Sequence, residues 1–551
     1  MKITDRFYKF KRDLNKWSLF LVLIVAAVAI PIFTVIFKLF DGPGESWTHI
    51  VNYVLLDYLV NSFVLSLLCS VFVIVFGVTT AWLVSRFEFP FRKQLEWLLI
   101  LPLSVPAYIM AYSYAGIFGY SGLFSDAVGL LGIENFSIDF MNIYGLSFVL
   151  SISLFPYVYV SSRTFFLAQA TNLLEASRML GITEFKSFFK LILPLARPAI
   201  IAGLVLVLME VLNDYGAASY YGVSTFTTGI FRSWFSLGEP ETAIYLSAIL
   251  LVLVFGLIIF EKWQRRHLKF TSAKSSKQQY NSRIKPTKRK QVFFSLICLL
   301  PVFIGFFLPV TQLLFWVSQT FTKVWSTDFI GITLQSFGIA FLTSLMTVLI
   351  ALLLLFFSKW NKIGFLKTTS KLGVMGYAIP GTIIAIGVLI PSIYLDKWLI
   401  EQGITSKLVL NATLIALVYA YVVRFLAVAY QPLESSSLKI DRSLSDSSKV
   451  LGKGNFRTFF KIEFPLIRAG LLSAFILVFI DILKELPLTL IMKPYNVNTL
   501  AVKAFEYASD EMVRSAALPS LLIILTALVP AIFLNKLLLK NANNTHNKKP
   551  Y

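Results

Sequence analysis

From Trp17 to Phe37 the chain runs 21 residues without a charged side chain. As a helix rising 1.5 Å per residue, such a run crosses the ~30 Å hydrocarbon layer of a bilayer. Comparable apolar blocks recur along the whole chain. The others of the first half are Asn61–Val84, Trp97–Phe118, Ile143–Val160, Pro198–Leu212 and Thr242–Phe260. A second set comprises Val292–Val317, Leu334–Phe357, Val374–Leu395, Leu408–Tyr430, Ala469–Leu483 and Ser515–Leu539. With 57% hydrophobic and only 14% charged residues in 551, these blocks predict an all-α membrane protein of about 12 transmembrane helices rather than several soluble domains. Met1 to Lys16 is basic, as ahead of a signal peptide. The run after it lacks a small-residue cleavage site and reads as a retained first helix.

The net charge of +21 is distributed, not clustered for nucleic acid. Most of the 50 Lys and Arg residues fall in alternate loops, and none lies between Lys93 and Arg163. This is the positive-inside pattern, and threading the spans with it places both termini in the cytoplasm. Lys262 to Gln291 holds eleven basic residues and no acidic one, which predicts a cytoplasmic linker. Cys69 and Cys298 sit singly in apolar segments and read as buried small hydrophobes.

The two sets repeat. At an offset of 271, Gly181, Pro194 and Arg197 match Gly452, Pro465 and Arg468, and Phe185, Phe188 and Phe189 match Phe456, Phe459 and Phe460. Glu210 matches Asp481, and Asp214 matches Glu485. At an offset of 274, Ser62 matches Ser336 and Pro106 matches Pro380. Six spans per half is an even number, so the copies face the same way, with a pathway between them. The expected organisation is a terminal segment 1–16, domains 17–261 and 292–540 around the linker 262–291, and a tail 541–551.

The loops after the fourth and tenth spans, 163–197 and 431–468, carry the most information. Asn172 with Glu175, and Ser443 with Asp446, stand at capping-box spacing and predict the start of a short helix. Gly181 and Gly452 would stop it in a left-handed conformation. A second short helix with its phenylalanines on one face follows, until Pro194 and Pro465 break the chain. The prediction is a helix–Gly–helix bracket under the membrane, once in each half.

These loops resemble the EAA motif of bacterial ABC importer permeases (Glu-Ala-Ala, three residues, Gly, nine residues, Ile, any residue, Leu-Pro). The first copy has Glu175, Ala176, Gly181, Leu193 and Pro194. The second departs from the motif, with Asp446, Ser447, Gly452, Ile462 and Pro465. The stretches from Asn213 to Phe231 and from Glu485 to Pro519 narrow the resemblance to fused, two-domain ferric-iron permeases. Related permeases for thiamine, sulfate and polyamines share the architecture. The resemblance implies a type I importer permease fold, with both loops docking two copies of an ATPase subunit. It also implies an extracytoplasmic substrate-binding protein as partner and a place in the bacterial inner membrane.

The chain has no Gly-rich phosphate loop, so ATP is expected to be used by partner subunits and no cofactor is expected here. His49, His267 and His546 are scattered, leaving no His-based metal site and no catalytic arrangement. A transport subunit rather than an enzyme follows. The carboxylates Glu210, Asp214, Asp481 and Glu485 stand near span ends, which leaves open a role along the translocation path or a plain interfacial one. A twelve-helix secondary transporter is the competing class, but it has no reason to repeat the bracket.

Overall fold

The computed structural model describes residues 16–119, 122–129, 138–179, 183–266, 283–360, 379–405, 408–411 and 413–528. Among these, nine helices are long and apolar enough to cross a membrane, or up to eleven if each of two bent pairs is one span. The first half contributes α1 (Lys16–Lys38), α2 (Leu55–Arg86), α3 (Ala107–Phe118), α4 (Ile143–Met179), α5 (Leu193–Asn213) and α6 (Pro240–Arg266). The second contributes α7 (Lys288–Val324), α8 (Thr327–Trp360), α9 (Gly381–Glu401), α10 (Leu414–Leu438), α11 (Arg468–Leu483) and α12 (Ala517–Leu528). The expected last span continues beyond α12 into residues outside those described, as do the linker and both terminal segments.

Pro106 does more than kink its span. It adopts an extended backbone (φ −55°, ψ 144°) and separates Arg92–Ser104 from α3 at an angle of 92°. A proline biases the residue before it away from helix, and Val105 is extended accordingly (φ −97°, ψ 109°). Pro380 has the same extended backbone directly ahead of α9, which starts at Gly381 within the expected span from Val374. Residues 361–378 lie outside the described part.

The chain divides into two compact units, and they cut across the expected limits at 17–261 and 292–540. One unit holds Glu45–Val324 together with the segment from Ala504. In it α4 lies along α2, with α5 against both and α6 against α5. Gly77 sits where a Cβ would come within 2.8 Å of Val158, and Gly203 rests on the α4 backbone. With no hydrophobic drive between helices in lipid, small residues of this kind let backbones approach and pack. In the same unit α7 packs on α3, where Gly116 faces the Trp316 ring.

The other unit holds Met1–Gly44 and Trp325–Lys503. Here α8, α10 and α11 pack together, and α1 lies along α9 with Gly387 against the backbone of Pro31. The first helix of each sequence half is therefore part of the unit built mainly from the other half. A membrane helix needs a complementary neighbour and has no requirement that the neighbour be adjacent in sequence.

Candidate functional site

The bracket of the second half is built from three pieces. Asp441 caps helix Arg442–Val450, its carboxylate accepting from the Ser443 N–H at 3.0 Å. That hydrogen bond holds the Asp441 carboxyl below the ordinary aspartate range. The cap thus falls two residues before the expected Ser443, and Asp446 is exposed, 3.8 Å from Lys449. A carboxylate at a helix N-terminus gains from the helix dipole as well as from the hydrogen bond, an advantage a serine hydroxyl lacks.

Gly452 ends this helix as expected. Its φ is +73°, its N–H donates to the Lys449 carbonyl (2.9 Å), and the next N–H, of Lys453, reaches back to Ser448 (3.1 Å). This paired closure satisfies carbonyls that a helix end leaves bare. Ser447 and Gly452 are exposed, and Ile462 and Pro465 are half-buried.

The first half differs. Asn172 and Glu175 do not begin a helix, because α4 runs unbroken to Met179 and carries Glu175 and Ala176 on its last turns. Thr164 to Met179 contains neither Gly nor Pro, so nothing interrupts propagation. In the second half Ser435, Ser436 and Ser437 occupy the end of α10, and such hydroxyls compete for backbone hydrogen bonds. Gly181 lies outside the described residues.

Each half then makes a five-residue π turn, Phe188–Ile192 and Phe459–Glu463, directly before Leu193-Pro194 and Phe464-Pro465. The expected breaks at these prolines are not equal. Pro194 starts α5 without interrupting the helix, and Phe188–Asn213 forms one span. The wider π bonding ahead of it accommodates a residue with no N–H to offer. Pro465 is followed by a break at Ile467 and a 71° bend into α11.

Two contacts fasten both brackets in the same way. Buried hydroxyls clasp the bracket internally: Ser187 donates to Ser177 at 2.8 Å, and Ser448 and Thr458 stand 2.9 Å apart. Phe188 packs on Trp82 of α2 with ring centroids 4.7 Å apart, and Phe459 on Phe356 of α8 at 4.8 Å. The phenylalanines therefore do not share one face. Phe459 is buried, whereas Phe456 and Phe460 are exposed, their tilted rings 4.4 Å apart. The clasp also gives Ser177 and Ser448 a role where the family motif has alanine.

The four carboxylates separate into two kinds. Asp214 accepts from the N–H groups of Ala217 and Ala218, both at 3.0 Å, and so caps the helix turn Gly216–Tyr220. Glu485 does the same for Pro487–Met492 through Leu488 (3.1 Å). Its other oxygen pairs with Arg424 at 3.1 Å, both side chains being buried. Gly381 leaves room for the Arg424 guanidinium, which a Cβ at that position would displace. Asp481 pairs with Lys484 at 2.8 Å, and Glu210 is half-buried one turn before Asp214. Among the described residues no group of three or more His, Cys, Asp or Glu side chains is placed to hold a metal ion.

Sequence reasoning missed Arg424, Lys359 and Glu463. The signal for Glu463 was an acidic residue at the position that Ile192 holds in the first copy.

Known proteins place this architecture. Residues 73–267 match the family described as binding-protein-dependent transport system inner membrane component. The chain is 25% identical over 530 residues to the Fe(3+)-transport system permease protein FbpB 2 of Haemophilus influenzae, covering 94% of this chain and 97% of that protein. It is 27% identical over 151 residues to the sulfate permease CysT of Escherichia coli, 27% of this chain and 53% of that protein. It is also 27% identical over 219 residues to the spermidine/putrescine permease PotB of Haemophilus influenzae, 37% of this chain and 74% of that protein. Residues 73–267, with the apolar helices and the bracket they contribute, thus match the inner membrane components of binding-protein-dependent transport systems, and similarity to one such permease extends over nearly the whole chain.

Proposed function

We propose that this chain is the whole membrane path of a ferric-iron importer, its two brackets each docking one copy of a separate ATPase subunit. An extracytoplasmic binding protein delivers the solute, ATP is used by the partner subunits, and both termini lie in the cytoplasm of a bacterial cell. The cargo reading is supported by similarity to a ferric-iron permease along almost the entire length of both chains. The sulfate and polyamine permeases match over roughly a third of this chain, and their solutes are the second reading.

The observation that carries the docking is the tip of the second bracket. Val450 is 87% exposed and Leu451 75%, next to the left-handed Gly452, with Phe456 at 61%. Apolar side chains gathered on a polar loop mark a surface for a protein partner. Leu451→Asp is expected to leave the permease in the membrane and to lower the amount of ATPase subunit that co-purifies with it. Labelled uptake should follow ferric iron and not sulfate or putrescine. An undiminished yield of ATPase with Leu451→Asp would refute the docking surface, and uptake of sulfate alone would refute the cargo.

A further inference from the structure

The two brackets share their hydroxyl clasp and their aromatic contact, and among the described residues the second also holds a buried carboxylate. Glu463, the last residue of its π turn, is 1% exposed. Its Oε1 accepts from Lys359 Nζ at 2.6 Å and from the Ser445 hydroxyl at 2.6 Å. Lys359 lies in the last turn of α8, and Ser445 on the capped helix Arg442–Val450. One carboxylate thus ties a membrane helix to both arms of the bracket.

The repeat shows what stands there in the first half. Phe356 corresponds to Trp82, as their equivalent contacts with Phe459 and Phe188 confirm, so Lys359 corresponds to Ser85. Glu463 corresponds to Ile192, which is fully buried, and Ser445 to Leu174. An apolar contact is non-directional and tolerates sliding. A buried carboxylate is stable only while paired, so it holds one register.

We propose that Glu463 is a positioning residue that gears the second bracket to α8, so that the two move together. The proposal rests on the coupling reading above. In it, α8 follows the second bracket as a rigid piece.

The test uses the full chain with its ATPase and binding protein in vesicles, reading the ATPase retained and the solute moved per ATP hydrolysed. Glu463→Gln and Glu463→Ile are expected to retain the ATPase, because the docking tip is elsewhere. Solute moved per ATP should fall on the order of fivefold or more, the lower range of a site-to-site coupling. The reversed pair Lys359→Glu with Glu463→Lys should restore most of it, which a loss of packing alone would not allow. An unchanged ratio in the Glu463 variants, with the ATPase bound, would overturn the proposal. Should those variants fail to accumulate, Lys359→Gln and the reversed pair decide: a reversed pair that accumulates yet stays as poorly coupled as Lys359→Gln overturns it. A wild-type chain that binds no ATPase would instead remove the coupling reading, and this inference with it.

Discussion

At the scale of single residues, the chain uses charge and chirality at helix ends where sequence patterns point only approximately. Gly452 was legible because few conformations end a helix and glycine enters the left-handed one without a Cβ penalty. Asp441 was not, because Asp441 and Ser443 both suit a cap and the choice depends on where α10 stops. Its folded-state carboxyl is depressed, so the stability it adds is present above the unfolded value near ~3.9 and is lost as pH falls through the folded value. Protection of the Ser443 and Leu444 amides, relative to the intrinsic exchange rate at each pH, is therefore expected to fall on acidification. Asp441→Asn, which caps without titrating, should abolish that dependence, and an unchanged acid response in this variant would contradict the assignment.

At the scale of elements, the bracket is a repeated device whose fastening is tertiary. The Gly-to-Pro spacing and the phenylalanines announced it, yet the π turns were invisible, since no residue pattern distinguishes them from α-helix. The clasps join residues ten apart across a turn, and nothing in Ser177 or Ser448 alone says which hydroxyl each will meet. Removing Ser177 or Ser448 takes this hydrogen bond from the buried Ser187 or Thr458 hydroxyl, at a cost of about 1–3 kcal/mol. Ser448→Ala and Ser177→Ala should each loosen their own bracket by that order. Limited proteolysis between the two arms reports it, and equal cleavage of wild type and variant would count against the clasp. Thr458→Val with Ser448→Ala, removing both partners, should be milder than Ser448→Ala alone.

At the scale of the whole molecule, the exchange of first helices has a consequence for how damage spreads. Gly387→Leu should push α1 from α9 and destabilise the unit that contains Trp325–Lys503, while Gly116→Leu should loosen α7 from α3 in the unit that contains Glu45–Val324. Hydrogen exchange resolved by segment would show the two effects in different units. A Gly387 variant whose loosening is confined to the first-half segments 45–266 would refute the assignment of α1. The sequence by itself determined that the chain crosses a membrane repeatedly, that it is a duplicated set of six spans, and where its brackets lie. Those are local properties, set by run length, charge alternation and spacing along the chain. Only the tertiary structure decided which helix each repeat lends to the other unit, that Asp214 and Glu485 cap the segments after them, and that Glu463 meets Lys359. Those depend on residues far apart in sequence, and in a uniformly apolar solvent hydrophobicity cannot choose among partners. Small residues, buried ion pairs and backbone donors make that choice, and their geometry exists only once the helices have packed.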